Sequence, residues 1–129
     1  MTTAFPDSST FKQAIQDWFS GNDVAKQLVI ATYGDMNVWN TSLVTDMSEA
    51  FKDRTEPMIN SDEQIGDWVT HLVTNMYGMF QGASKFNQPL VTDGNKWNTS
   101  AVTNMSGMFQ GALTFNQDIS SWDTHLVED

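Results

Sequence analysis

Apolar residues recur along this chain at two different spacings. In the first, Phe11, Ala14, Ile15, Trp18 and Phe19 fall at i, i+3, i+4, i+7 and i+8, one face of a helix. Thr10 with Gln13 fits a capping box at its start, and Gly21-Asn22 stops it. A second, shorter helix is predicted from Asp23 to about Thr32, with Val24, Leu28 and Ala31 facing inward and an end near Gly34. Residues 1–8 read as an extended leader.

The second spacing is a long period. The stretch from Trp68 to Ala83 returns 29 residues later as Trp97 to Ala112, and a weaker copy runs from Trp39. A fourth copy begins at Trp122 and gives only eight residues. A period of this size means stacked units, none able to bury its apolar face alone. The units are 39–67, 68–96, 97–121 and the partial 122–129. Residues 1–38 supply a leader and helical cap over the first unit, and the whole forms one structural domain.

Three parts are expected in each unit. A short extended segment Trp-x-Thr-x-x-Val comes first. A compact helical turn follows, with Asp46, Asn75 or Asn104 at its N-cap. Its apolar residues are Met47, Ala50 and Phe51, then Met76, Met79 and Phe80, then Met105, Met108 and Phe109. Gly82 and Gly111 can end that turn in a left-handed conformation. The return segment carries Phe86-Asn87-Gln88 and Phe115-Asn116-Gln117. Stacking sets like over like. The predicted repeat core is therefore Trp39, Trp68, Trp97 and Trp122 with the methionines and phenylalanines just named, and Asn87 over Asn116 and Gln88 over Gln117 suit side-chain amide ladders. The first unit departs after Phe51, where Lys52 to Asn60 reads as a charged loop bulging outward. Asp93-Gly94-Asn95 reads as a turn.

Composition narrows the function. With 40% hydrophobic residues the chain can build a core. It has no cysteine, which excludes disulfides, thiolate metal sites and cysteine catalysis. The formal charge of −10, with six basic residues, disfavours a phosphate backbone or an anionic lipid surface. No nucleic-acid partner and no membrane insertion is expected. Met1-Thr2-Thr3-Ala4-Phe5-Pro6-Asp7 has no basic region ahead of an apolar run and does not read as a secretory signal.

Candidate chemistry is sparse. His71 and His125 each stand three residues after a repeat Trp, where the other units carry Ser42 and Ser100. That exchange suits an exposed ladder position rather than a metal pair or a general base. Asp118 and Asp123 form the one candidate carboxylate pair for glycoside hydrolysis. Stacked tryptophans serve either as core or as a sugar-binding platform, and core is favoured. Asn40-Thr41-Ser42, Asn98-Thr99-Ser100 and Asn104-Met105-Ser106 match the glycosylation triplet but arise from the repeat itself. No catalytic, cofactor-binding or metal-binding residue is assigned, and no cofactor is expected. The open last unit, with Trp122, His125, Leu126 and Val127, is the candidate interface, with Glu128 and Asp129 blunting its edge.

The run from Trp97 to Thr124, Trp-Asn-Thr-Ser-Ala-Val-Thr-Asn-Met-Ser-Gly-Met-Phe-Gln-Gly-Ala and onward, resembles the repeat of the BspA-type surface proteins, an atypical leucine-rich-repeat group. The likeness is strongest over 68–129 and fainter over 35–60. It implies an α/β fold, a short right-handed leucine-rich-repeat-like solenoid of about three coils. Members are mostly bacterial or protist surface proteins tied to adhesion and display, and some resemble marine phage components. On this reading the chain is not an enzyme. It is a structural or interaction module on a virion or cell exterior, preferably a small virion structural or decoration protein working by protein–protein contacts within a larger assembly. The alternatives are a cell-surface adhesion module binding host protein or glycan and, third, a hydrolase.

Overall fold

A computed structural model describes residues 3–92 and 96–129. The turn expected at Asp93-Gly94-Asn95 lies outside the described residues. Two α-helices open the chain, α1 (Ser8–Trp18) and α2 (Asp23–Tyr33), followed by single 3-10 turns at Met36–Val38 and Ser61–Glu63.

Helix α1 starts earlier than the Thr10 cap predicts. Asp7 is its N-cap, in extended backbone, and its carboxylate accepts the Thr10 N–H at 2.7 Å. Phe11, Ala14, Ile15 and Trp18 are buried as the periodicity requires, and Phe19 is half-buried. Asn22 caps α2 by accepting from Val24 and Ala25. Gly34 ends it at φ +84°. The predicted inward stripe on α2 is wrong. Val24 and Leu28 are 70% and 64% exposed and Ala31 is exposed, whereas Val29 is buried and Ile30 and Tyr33 pack against the core. The Tyr33 ring decides the rotation: it stacks on the fully buried Phe5 at 4.1 Å, so the leader is docked, not loose.

The expected α/β leucine-rich-repeat-like class is also overturned. The described residues hold two helices and no sheet; strand-type pairing appears only as isolated parallel bridges, Ala4 with Asn40, Asp46 with Asn75 and Asn75 with Asn104. Nor does a helical turn follow Asp46, Asn75 or Asn104. These side chains accept the N–H two residues on, from Ser48, Tyr77 and Ser106, closing Asx turns. Consecutive turns follow instead, because residues in the left-handed region recur every four positions: Glu49 and Asp53, Gly78 and Gly82, Gly107 and Gly111. A left-handed residue in mid-run forbids a helix, and the backward-folded carbonyls forbid a strand.

The repeat units nevertheless lie one on the next. Phe51, Phe80 and Phe109 stack at 5.5 Å per step with planes 6° apart. Phe86 lies over Phe115 at 6.0 Å. Trp39 stacks on Trp68 at 5.9 Å and Trp97 on Trp122 at 6.2 Å. Helix α1 covers the first unit: Phe11 meets Trp68 edge-on at 5.4 Å, and Trp18 meets Trp39 at 5.8 Å. The predicted charged bulge after Phe51 folds back instead. Arg54 donates to Gln16 and lies over the Phe19 ring, and Met58 is buried.

The predicted ladders of Asn87 on Asn116 and Gln88 on Gln117 do not form; polar groups stitch the units mostly from side chain to backbone. Buried Gln88 donates to the carbonyls of Met58 and Glu63 and accepts the Ile65 N–H. Gln117 donates instead to the Asn87 side-chain oxygen at 2.9 Å and to its carbonyl at 3.4 Å, and Asn116 donates its backbone N–H to the Asn87 side chain. The hydroxyls of buried Thr41, Thr70 and Thr99 donate to the carbonyls of Val69, Asn98 and Asp123 in the following unit. That accounts for the repeated Thr two places after each Trp.

Candidate interaction surface at the C-terminal end

The hydrogen bonds of the turn run can be followed atom by atom. In the first unit the N–H groups of Met47, Glu49, Phe51 and Asp53 donate to the carbonyls of Asn75, Tyr77, Met79 and Gln81. In the second, Met76, Gly78, Phe80 and Gly82 donate to Asn104, Ser106, Met108 and Gln110. The alternate N–H groups close turns inside their own unit, as from Met79 to Met76 and from Gln81 to Gly78. In the third unit only Met105 finds an acceptor beyond, the Asp129 carbonyl at 2.7 Å. The N–H groups of Gly107, Phe109 and Gly111 have no acceptor among the described residues, while the carbonyls of Met105, Gly107 and Phe109 are used by Met108, Gln110 and Ala112.

The same end opens the core. Met76, Phe80, Phe86 and Leu90 are buried, and their counterparts one unit on are not: Met105, Phe109 and Phe115 are half-buried and Ile119 is exposed. Leu113, just beyond the last turn, is 83% exposed. Met105, Met108, Phe109, Ile119, Trp122 and Thr124 line a groove of about 380 Å³. Of the predicted interface residues, Trp122 lines this groove, with its indole N–H on the Leu90 carbonyl at 2.8 Å. His125 and Leu126 are exposed and Val127 is half-buried; none of the three lines it. The unfilled row at Gly107, Phe109 and Gly111 has its sequence signal in the Gly-x-x-x-Gly spacing of the second and third copies.

The other candidates lie apart. His71 is exposed. His125 is also exposed, with Nδ1 on the Asp123 carboxylate at 2.6 Å. Hydrogen bonds from the backbone and ring of His125 hold the Asp123 carboxyl below its ordinary range. Those from Ser120 do the same for Asp118. A glycosidase pair needs one carboxyl raised to serve as the acid, and neither is. No cluster of three or more His, Asp or Glu suited to a metal occurs among the described residues. Trp18, Trp39, Trp68 and Trp97 are buried and Trp122 is half-buried, so no paired indole platform faces solvent for a sugar. No described helix is long and apolar enough to cross a membrane.

A family model described as "Mycoplasma protein of unknown function, DUF285" matches residues 1–54 and 22–129. No curated protein and no solved structure matches the chain.

Proposed function

The chain belongs to this DUF285 family, and from that premise we propose that it is a non-catalytic interaction module, working on an exterior surface by protein–protein contact through its C-terminal end. One observation carries the reading. The N-terminal end of the core is covered by α1 and the leader, while the C-terminal end leaves Met105, Phe109, Phe115, Ile119 and Trp122 partly open around a groove. A contiguous apolar patch bordered by polar residues is the ordinary mark of a protein contact. The resemblance of residues 97–124 to BspA-type surface repeats supports the exterior setting.

The test is a native pull-down from cells that make the protein, comparing the natural chain with Phe109→Asp. The reading requires a stoichiometric partner on the natural chain that is lost from the variant while its fold, followed by circular dichroism, survives. A partner retained at full occupancy by Phe109→Asp would refute it. So would a natural chain that stays monomeric and alone.

A further inference from the structure

We propose a second contact surface, on the flank of the stack and separate from the C-terminal groove. It is the row of turn tips Ser42-Leu43, His71-Leu72, Ser100-Ala101 and His125-Leu126, and its occupant is a second copy of this chain with its stack running antiparallel. Each tip is the middle of a turn closed by the N–H of Val44, Val73, Val102 or Val127 on the carbonyl of the Thr three residues before. The tips keep register because the N–H groups of Thr74, Thr103 and Glu128 donate to the carbonyls of Thr45, Thr74 and Thr103. Leu43, Leu72 and Leu126 expose between 42% and 51% of their surface. Polar residues and glycine are the usual occupants of turn tips, so the fold has no need of Leu there. An apolar column kept in the open marks a contact surface.

Charge and order along the row select the occupant. Residues 42–45, 71–74 and 100–103 hold no Asp, Glu, Lys or Arg, in a chain of formal charge −10. Two such chains repel over much of their surface, and this strip lets them meet with few carboxylates brought together. Covering it strands no hydroxyl of Thr74 or Thr103, which already donate to the Thr45 and Thr74 carbonyls at 3.3 and 3.2 Å. From the first unit to the last, one column reads Leu-Leu-Ala-Leu and its neighbour Ser-His-Ser-His. A two-fold axis lying across the stack, between the second and third units, sets each column opposite itself in reverse order. Leu72 then meets Ala101 of the second copy, large against small, and Leu43 meets Leu126 of the second copy. Every His meets a Ser, an imidazole against a hydroxyl, His71 with Ser100 and His125 with Ser42. Asp123 and Glu128 come opposite Asn40 and Thr45, and Asp129 comes opposite Asp46, which carries Lys12 at 3.3 Å. In a parallel pair each rung meets itself, Leu72 on Leu72 and Ala101 on Ala101, leaving a gap beside a crowded site. Three residues on each of four rungs fall short of the roughly 20 to 30 residues a side of a standard interface, so the pair is weak and depends on concentration.

Sedimentation equilibrium of the full chain is expected to show monomer and dimer with a dissociation constant of roughly 10 μM to 1 mM. Leu72→Asp puts a charge in the middle of the strip and should weaken the dimer about tenfold or more, while Phe109→Asp leaves it unchanged. The chain has no cysteine, so single introduced thiols report the pairing. A short bismaleimide should join Leu43→Cys chains to Leu126→Cys chains in a mixture. It should not join Leu43→Cys to itself, because those positions lie three rungs apart, roughly 15 Å at about 4.8 Å a rung. A natural chain that stays monomeric to about 1 mM overturns the proposal. A dimer that survives Leu72→Asp overturns it too, and one lost instead with Phe109→Asp belongs to the C-terminal end. Joining of Leu43→Cys to itself, or no joining in the mixture, overturns the antiparallel order. The cross-link uses the outer rungs, so it decides the matter even where Leu72→Asp fails to fold. The C-terminal reading keeps its own test, since Phe109 lies outside the strip.

Discussion

The indole N–H of Trp68 donates to the Met36 carbonyl at 2.8 Å, the same oxygen that receives the backbone N–H of Trp39. Trp97 does the same one unit later on the Ile65 carbonyl, which also receives the Trp68 backbone N–H. The repeat Trp is thus both a ring in the core and a peg onto the carbonyl three residues ahead of the previous repeat Trp. Trp68→Phe removes the peg and leaves space beside a buried oxygen. A loss of about 2 kcal/mol is expected, from a weakened buried hydrogen bond and an unfilled volume. Urea unfolding of the two chains measures it. A loss below about 0.5 kcal/mol would mean that the peg is idle.

Gln88 is a second fastening, with three bonds to backbone groups in the loop that ends the first unit. Gln88→Ala leaves the Glu63 carbonyl and the Ile65 N–H without partners, while the Met58 carbonyl keeps the Gln64 amide, and is expected to cost about 3 kcal/mol. Gln117, its half-buried counterpart, reaches only the exposed Asn87, and Gln117→Ala should cost less than about 1 kcal/mol. Equal effects from the two would show that burial is not what makes the amide matter.

Glycine is required unequally. Gly21 has φ +80° and open space around a would-be Cβ, so Gly21→Ala bears the backbone cost alone, about 1 kcal/mol. Gly82 has φ +73°, and its would-be Cβ runs into the Asp53 side chain and lies 3.4 Å from the Asp53 Cα. Gly82→Ala should therefore cost about 2 to 3 kcal/mol, strain and overlap together. Thermal melts of the two variants distinguish these; similar melting points would contradict the close approach.

Acid weakens the join between α1 and the first unit. Burial raises the Asp46 carboxyl, but hydrogen bonds from Ser48 and the Lys12 ammonium 3.3 Å away outweigh it and leave the group below its ordinary value of 3.8. A carboxyl lowered in the folded chain contributes stability above its unfolded pKa and loses it as pH falls through the folded one. Asp46→Asn should therefore be less stable than the natural chain near neutrality, and the two should converge below pH 3.8. Denaturant midpoints measured across that range test it; a gap that widens in acid would reverse the sign.

The 29-residue recurrence makes the stacking of Trp and Phe legible in the sequence, because identical side chains at a fixed period can share a core only by lying over one another. The backbone type was not legible. Met76, Met79 and Phe80 have helical spacing, but that spacing is equally met by two successive turns. Gly78 between them, left-handed at +56°, was the residue that excluded a helix. Helix α2 misled for another reason: Val24, Leu28 and Ala31 form an apolar stripe, yet the packing of Tyr33 on Phe5 turned the opposite side inward. The groove at the C-terminal end was half visible. The incomplete fourth unit pointed to Trp122, but which N–H groups it leaves over depends on turn geometry that residue types do not display.

The one-way row of donors has an electrical consequence. In every unit of the ribbon the bonded peptide groups aim N–H toward the C-terminal end and C=O toward α1. Their dipoles add along the stack as they do along a helix axis, so the positive end of that sum lies where Gly107, Phe109 and Gly111 stand, in a molecule of formal charge −10. Glu128 and Asp129 lie beside that pole and Lys12 beside the opposite one. The peptide groups of the stack are thus polarised along its axis, with acidic side chains at the N–H end and a lysine at the C=O end.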